Sequence, residues 1–246
     1  MTDIQITIDS KTYPAIAHAG RHVAIADFKL SLKFGEFVCL VGPSGCGKTT
    51  LLNMIAGLDN DYQGEIFVGQ AHSPPKIGYI FQNPRLLPWR TVRENIELVL
   101  ADNQSPTIID PLLEVMQLTE SQHVYPERLS VGMSRRVSII RAFAVDPDVL
   151  LMDEPFVSLD APTARQVREL LLTLWQERLH TVLFVTHDLR EAIAMADRLI
   201  FLSASPMSVI SEVTVSIPRS ERHNEQVIEV FRQNLINNYP EIKSLL

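Results

Sequence analysis

The chain has 246 residues, 46% of them hydrophobic, and a formal net charge of −7. That length and apolar content suffice for one large or two small domains around a continuous core, while the acidic balance argues against a broad nucleic-acid-binding face. No run of about 18 uncharged apolar residues offers a membrane span, the start Met1-Thr2-Asp3-Ile4 lacks the basic-then-apolar build of a secretion signal, and two cysteines cannot frame a disulfide scaffold, so a cytosolic chain is expected.

Ile4 to Ile8 alternates apolar and polar residues like a half-buried strand, and Val23 to Phe28, continued by Leu30 and Leu32, predicts a second. Gly35 and Glu36 turn the chain into an apolar strand that ends at Val41. There follows Gly42-Pro43-Ser44-Gly45-Cys46-Gly47-Lys48-Thr49-Thr50, a match to G-x-x-x-x-G-K-[ST] in the strand, loop, helix order that motif requires. The glycines let backbone N–H groups curl inward around an anion, and a helix starting near Lys48 adds its positive end. These nine residues are therefore the predicted nucleotide cradle. Lys48 is expected to reach the β- and γ-phosphates, and Thr49 to give a hydroxyl ligand to Mg²⁺. Cys39 reads as core. Cys46 reads either as a redox-sensitive thiol or as a small residue that fills the loop.

Gly57 marks the end of the first helix, and Gly64 to Val68 and Lys76 to Phe81 read as strands separated by Ser73, Pro74 and Pro75. From Gln82 the pattern turns helical. Thr91 is a predicted N-cap for a helix over 92–100, Pro106 opens another to about Met116, and Ser130 caps one over 131–144 whose apolar face carries Val137, Ile140 and Ala144. A buried strand over 149–152, a helix over 162–178, a strand over 181–185, a helix over 188–196 and a strand over 199–202 then alternate, the pattern of a parallel sheet covered on both faces. Residues 221–238 read as a docked amphipathic helix through Val227, Ile228, Phe231 and Leu235. The chain is expected to be α/β and a single domain over 1–246. Its parts are a strand-rich section to 81, a helical insert over 82–145, a return to the core over 146–215 and a helical tail from 216.

Asp153 and Glu154 close the strand at 149–152, on the edge where open α/β sheets gather ligands. Asp153 would hold Mg²⁺, directly or through water, and Glu154 would polarise the water that attacks the γ-phosphate. Standing alone, Asp-Glu-Pro would serve equally well as a strand-ending turn.

Leu129-Ser130-Val131-Gly132-Met133-Ser134-Arg135-Arg136, followed by Asp153-Glu154-Pro155, Ser158-Leu159-Asp160 and His187, resembles an ABC-type ATPase subunit over nearly the whole chain. The resemblance implies a P-loop NTPase core with a mostly parallel sheet, an N-terminal antiparallel β subdomain and an inserted α-helical subdomain. It also implies head-to-tail pairing with a second copy, each ATP lying between the phosphate loop of one subunit and the signature helix of the other. On that pattern Ser130 and Gly132 contact the γ-phosphate across the pair, Asp160 communicates between the two sites, and His187 contacts the γ-phosphate. Gln82 then senses Mg²⁺ and the membrane partner. Lys48, Gln82, Glu154 and His187 form the implied catalytic set, and Thr49, Gln82 and Asp153 the implied metal set. Val131 and Met133 depart from the pattern L-S-G-G-Q. A left-handed valine would cost about 1–2 kcal/mol, but Val131 in a first helical turn escapes that strain, so activity is expected to be retained. The family stacks adenine on an aromatic ring twenty-odd residues before the loop, where this chain has Ala19 between His18 and His22, with Tyr13 further upstream.

Gln82 to Ile96 resembles the matching segment of importer ATPases for nitrate, sulfonate, taurine and related small solutes, carried by Leu86, Leu87 and Trp89. An apolar cluster between Arg85 and Arg90 suits a docking surface for a partner helix, or else Trp89 packs the insert itself. Leu174 to Arg178 and Thr186 to Ala192 fit the same group. The reading is an ATP-hydrolysing subunit on the cytoplasmic side of the membrane, working with two permease subunits and, through them, a solute-binding protein, and not with nucleic acid. A lipid-trafficking or export cassette would share the ATP motifs, and a weakly active regulator stays open. A soluble repair or chromosome-maintenance protein would need a coiled-coil arm or zinc insertion, which the sequence lacks.

Overall fold

The computed structural model describes residues 4–15, 20–69, 75–102, 104–178 and 180–243. In chain order the elements are β1 (Ile4–Tyr13), β2 (His22–Leu32), β3 (Phe37–Val41), α1 (Lys48–Ile55), β4 (Gln63–Val68), β5 (Ile77–Ile80), α2 (Val92–Glu97), α3 (Ile109–Val115) and α4 (Val131–Ala144). Then come β6 (Val149–Asp153), α5 (Ala161–Glu177), β7 (Thr181–Thr186), α6 (Leu189–Met195), β8 (Arg198–Leu202), β9 (Val209–Thr214), α7 (Glu225–Asn238) and α8 (Pro240–Lys243). They divide into two compact units, one made of Met1–Pro74 with Thr181–Leu246, the other of Pro75–His180. No helix of the described residues is long and apolar enough to cross a membrane.

In the first unit β2, β1 and β4 form an antiparallel sheet, with Ile6 opposite Leu30 on one side and Ile66 on the other. Ile4, Ile6 and Ile8 bury the inward face, which is what their alternation demands. β3 runs parallel to β7 and β8, and every residue of β3 is buried, as expected of a central strand covered on both faces. β9 adds an antiparallel edge to β8. Its residues are exposed or half-buried, and although Val209, Ile210, Val213 and Thr214 are β-branched, its apolar residues neither run continuously nor alternate regularly with polar ones, so it does not stand out in the sequence. The tail helix begins at Glu225, later than the expected 221, because Asn224 supplies the cap by accepting from Gln226 N–H at 2.9 Å. Ile228 and Leu235 are its buried residues, while Val227 and Phe231 are half-buried.

In the second unit β5 and β6 pair in parallel, and α4 lies so close to β5 that a Cβ at Gly78 would stand 2.5 Å from the carbonyl oxygen of Ala142. The expected α4 limits and its buried Val137, Ile140 and Ala144 are observed. Thr91 and Glu94 form a reciprocal capping box on α2, yet the helix ends at Glu97, short of the expected Leu100. Leu98 is exposed, so the apolar residues beyond Glu97 do not continue a core-facing stripe, and Val99 and Leu100 bond in tighter turns to Ile96 and Glu97. The segment from Pro106 starts as a 3₁₀ turn and becomes α-helical at Ile109. Pro111 has no N–H to give the carbonyl four residues back, which delays the α-helical ladder. Asn95 is fully buried. Its Oδ1 accepts from Leu87 N–H at 2.8 Å and its Nδ2 donates to the carbonyls of Leu87, Arg90 and Thr91, so one side chain fixes the loop over 87–91.

Candidate functional site

The phosphate loop joins β3 to α1. Gly45 and Gly47 adopt φ of 78° and 116°, left-handed values that a side chain would resist, and no side chain caps the first turn of α1. Lys48 is 5% exposed, and its Nζ donates to the carbonyls of Gly42 at 2.8 Å and Pro43 at 2.9 Å. The ammonium is therefore laid across the loop and poised where a phosphate chain would be cradled. Cys46 is buried beside it, 4.0 Å from Nζ. Burial pushes the Cys46 thiol above its ordinary pKa despite the nearby ammonium, which favours the loop-filling reading over the redox one. Cys39 is core.

The expected stacking position at Ala19, together with His18, lies outside the described residues. The structure instead sets an aromatic ring against the start of α1. Tyr13, the last residue of β1, shares a 3.1 Å hydrogen bond between its hydroxyl and that of Thr50. Lys11 stands 4.9 Å from the Tyr13 ring centroid and is itself anchored to Asp59 at 2.9 Å and to the Asp61 carbonyl at 2.6 Å. The length and register of β1 bring the Tyr13 ring there, a relationship that no local sequence pattern shows.

His187 is exposed in the turn between β7 and α6. The turn is braced on both sides: Thr186 Oγ1 donates to Glu191 at 2.9 Å and accepts from Asp188 N–H at 3.0 Å, while Asp188 caps α6 through Arg190 N–H at 2.8 Å.

In the second unit Asp153 is the buried last residue of β6, and the next residue, Glu154, holds φ of 44°. A non-glycine residue in that region costs on the order of 1 kcal/mol or more and is characteristic of functional turns. The Glu154 carboxylate lies 3.5 Å from Gln82 Nε2. Burial, and then the charge of Asp153, pushes the Tyr79 hydroxyl above its ordinary pKa. Among the described residues no cluster of three His, Cys, Asp or Glu side chains could hold a metal ion. The donors expected for Mg²⁺, the Thr49 hydroxyl in the first unit and the Gln82 amide and Asp153 carboxylate in the second, are hard oxygens of the kind that ion takes, and Mg²⁺ keeps waters and phosphate oxygens in its shell.

Ser130 caps α4 by accepting from Met133 N–H at 3.1 Å, which leaves its hydroxyl hydrogen free to be donated. Val131 is helical and exposed, so it is unstrained. Gly132 packs against α5, where an added Cβ would meet Thr163 Cγ2 at 2.7 Å. Asp160 caps α5 through Thr163 N–H at 3.2 Å, and Thr163 holds the Asp160 carboxyl below its usual range. The structure thus joins Gly132 to Asp160 through one residue. Trp89 is 69% exposed, so within this chain it does not pack the helical insert.

Residues 25–157 match the family described as ABC transporter. The chain belongs to that family. It is 41% identical over 231 residues to the nitrate import ATP-binding protein NrtD of Synechococcus elongatus, covering 89% of this chain and 83% of that one. It is 36% identical over 245 residues to the aliphatic sulfonates import ATP-binding protein SsuB of Bacillus subtilis, covering 98% and 96%. Among solved structures, the cassette matches a dimeric bacterial ABC transporter cassette, MJ0796, with a TM-score of 0.75 and 31% identity, covering 87% of this chain and all of that one. The expected α/β class, with a mostly parallel sheet and a separate antiparallel one, is the observed class.

Proposed function

We propose that the cassette binds ATP with Mg²⁺ and hydrolyses it to power uptake of a small solute of the nitrate or sulfonate kind through two permease subunits, at the cytoplasmic side of the membrane. The observation that carries this reading is the phosphate loop, with left-handed Gly45 and Gly47 and the Lys48 ammonium laid across Gly42 and Pro43. It stands in a chain that is alike, over most of its length, to relatives named as import ATP-binding proteins.

The roles follow from chemistry. Backbone amides over 42–50 and the Lys48 ammonium take the phosphate oxygens. Oxygens of Thr49, Gln82 and Asp153 would hold Mg²⁺, which supplies charge neutralisation on the terminal phosphates. Glu154 accepts a proton from the attacking water, and Gln82, within reach of its carboxylate, helps orient that water. His187 contacts the γ-phosphate from its braced turn. The adenine stacks on Tyr13, whose ring is fixed by Thr50 and Lys11. Ser130, with a hydroxyl hydrogen to spare at the N-terminus of α4, and Gly132 face the ATP of a second copy, and Asp160 links the two sites. Exposed Trp89, on the same segment as half-buried Leu86 and Leu87, docks the permease, and a solute-binding protein acts through that permease.

The test is uptake by vesicles that contain the cassette, its permease and the binding protein. ATP-dependent accumulation of nitrate or an aliphatic sulfonate is expected. ATP hydrolysis that drives outward movement, or none at all, would contradict the importer reading.

A further inference from the structure

The loop that leaves β5 is bolted to the signature helix by arginines. Arg135 Nη1 donates to the carbonyl of Phe81 at 2.8 Å, and its Nη2 donates to the carbonyl of Gln82 at 2.7 Å. Six residues further along α4, Arg141 donates to the carbonyls of Pro84 at 2.7 Å and Arg85 at 3.1 Å. Four carbonyls of one short segment thus belong to a single helix.

Arg135 is the unusual member of this set. It is 2% exposed, and its Nε is buried with no acceptor among the described residues. Burial alone pushes its pKa down, with no carboxylate contributing. Arginine stays charged in proteins, and a buried charge without a counter-ion is costly, so a neutral side chain would sit there more cheaply if packing were the whole purpose. What the charge holds is the backbone of Gln82.

The two ends of this link matter. Arg135 lies five residues from Ser130 on one continuous helix, a separation of about 7.5 Å along the axis. A helix of this length moves as a body, so a shift of the loop at Arg135 is a shift at Ser130. The other end of the loop carries Trp89 and is fixed by Asn95.

We propose that Arg135 is a positioning residue that locks the Gln82 loop to the signature helix, so that the loop of one cassette sets where its Ser130 is presented to the ATP of the second cassette. This rests on the reading of Ser130 as a γ-phosphate contact. The competing account is that Arg135 only satisfies two loop carbonyls.

The experiment compares the parent cassette with Arg135→Met, Arg135→Lys and Ser130→Ala. It measures kcat and KM for ATP, affinity for ATP, ATP-dependent dimerisation in a Glu154→Gln background, and thermal midpoint. Arg135→Met is expected to lower kcat and dimerisation by about tenfold, within the range of known coupling effects, with KM and affinity unchanged. Arg135→Lys, which keeps the charge but loses the two-pronged grip, should recover part of the loss. If Arg135→Met does not fold, Arg135→Lys carries the test, with kcat reduced at unchanged KM. Losses that vanish once activity and dimerisation are normalised to folded protein would overturn the proposal. So would a Ser130→Ala variant that loses dimerisation while Arg135→Met keeps it. A Ser130→Ala variant indistinguishable from the parent would instead overturn the underlying reading of Ser130.

Discussion

The hydroxyls of Tyr13 and Thr50 share a 3.1 Å hydrogen bond, which holds the ring at the end of β1 against the first turn of α1. If adenine stacks on that ring, Tyr13→Ala should weaken ATP binding by about 1–3 kcal/mol, the scale of base–aromatic stacking. Tyr13→Phe, which keeps the ring and loses only the tether to Thr50, should stay close to the parent. Calorimetric titration with ATP checks both. Equal losses in the two variants would assign the effect to the tether and remove the ring from base recognition.

A Cβ on Gly132 would stand 2.7 Å from Thr163 Cγ2, so Gly132→Ala forces the Thr163 side chain to turn aside or α4 to move off α5. Overpacking of this kind costs about 1–3 kcal/mol. The Gly132→Ala thermal midpoint should fall, and pairing Gly132→Ala with Thr163→Ser, which removes the clashing methyl, should restore most of it. A midpoint unchanged in Gly132→Ala would show that the Thr163 side chain yields without cost.

Trp89 stands exposed on a loop that Asn95 fixes from beneath. Trp89→Ala should therefore leave the thermal midpoint and ATP affinity of the isolated cassette unchanged while costing roughly 2 kcal/mol or more of permease association, as buried aromatic anchors do. Co-purification with the permease, set beside thermal melting of the cassette alone, reads the two effects separately. Intact assembly with Trp89→Ala would remove Trp89 from the interface.

His180 is buried, with its Nδ1 2.6 Å from the carbonyl of Pro147, and burial holds its pKa below the ordinary 6.5. The unfolded chain then binds the proton more readily than the folded one. The contribution to stability is complete above about pH 6.5 and is lost as pH falls through the lowered folded value. Urea midpoints should decline below that pH, and His180→Gln should flatten the decline. Parallel pH curves for parent and variant would exclude His180 as the titrating group.

How much of this was legible in the sequence depends on how local each cause is. β3, β6 and β7 are continuous apolar runs because both faces of the sheet are covered, and the caps at Thr91 and Ser130 act within three residues, so both kinds of feature can be read from the chain directly. The phosphate loop is legible for the same reason, since Lys48 folds back onto Gly42, Pro43 and Cys46, all within six residues of it. β9 was hidden because an exposed edge strand needs neither a continuous nor an alternating apolar pattern. Lys11 and Arg135 look like surface cations in the sequence. Their burial is set by Asp59 in one case and by the backbone of Phe81 and Gln82 in the other, partners about fifty residues away that no local pattern connects.

The central claim, that this phosphate loop binds ATP for hydrolysis at Glu154, is tested most directly by measuring ATP affinity and phosphate release together in Lys48→Ala and Glu154→Gln, with the permease present. Lys48→Ala removes the ammonium that neutralises phosphate charge, whereas Glu154→Gln removes only the proton acceptor for water. The account predicts that Lys48→Ala loses affinity, and that Glu154→Gln keeps affinity close to the parent and loses turnover. Parental phosphate release by Glu154→Gln, or parental ATP affinity in Lys48→Ala, would contradict it.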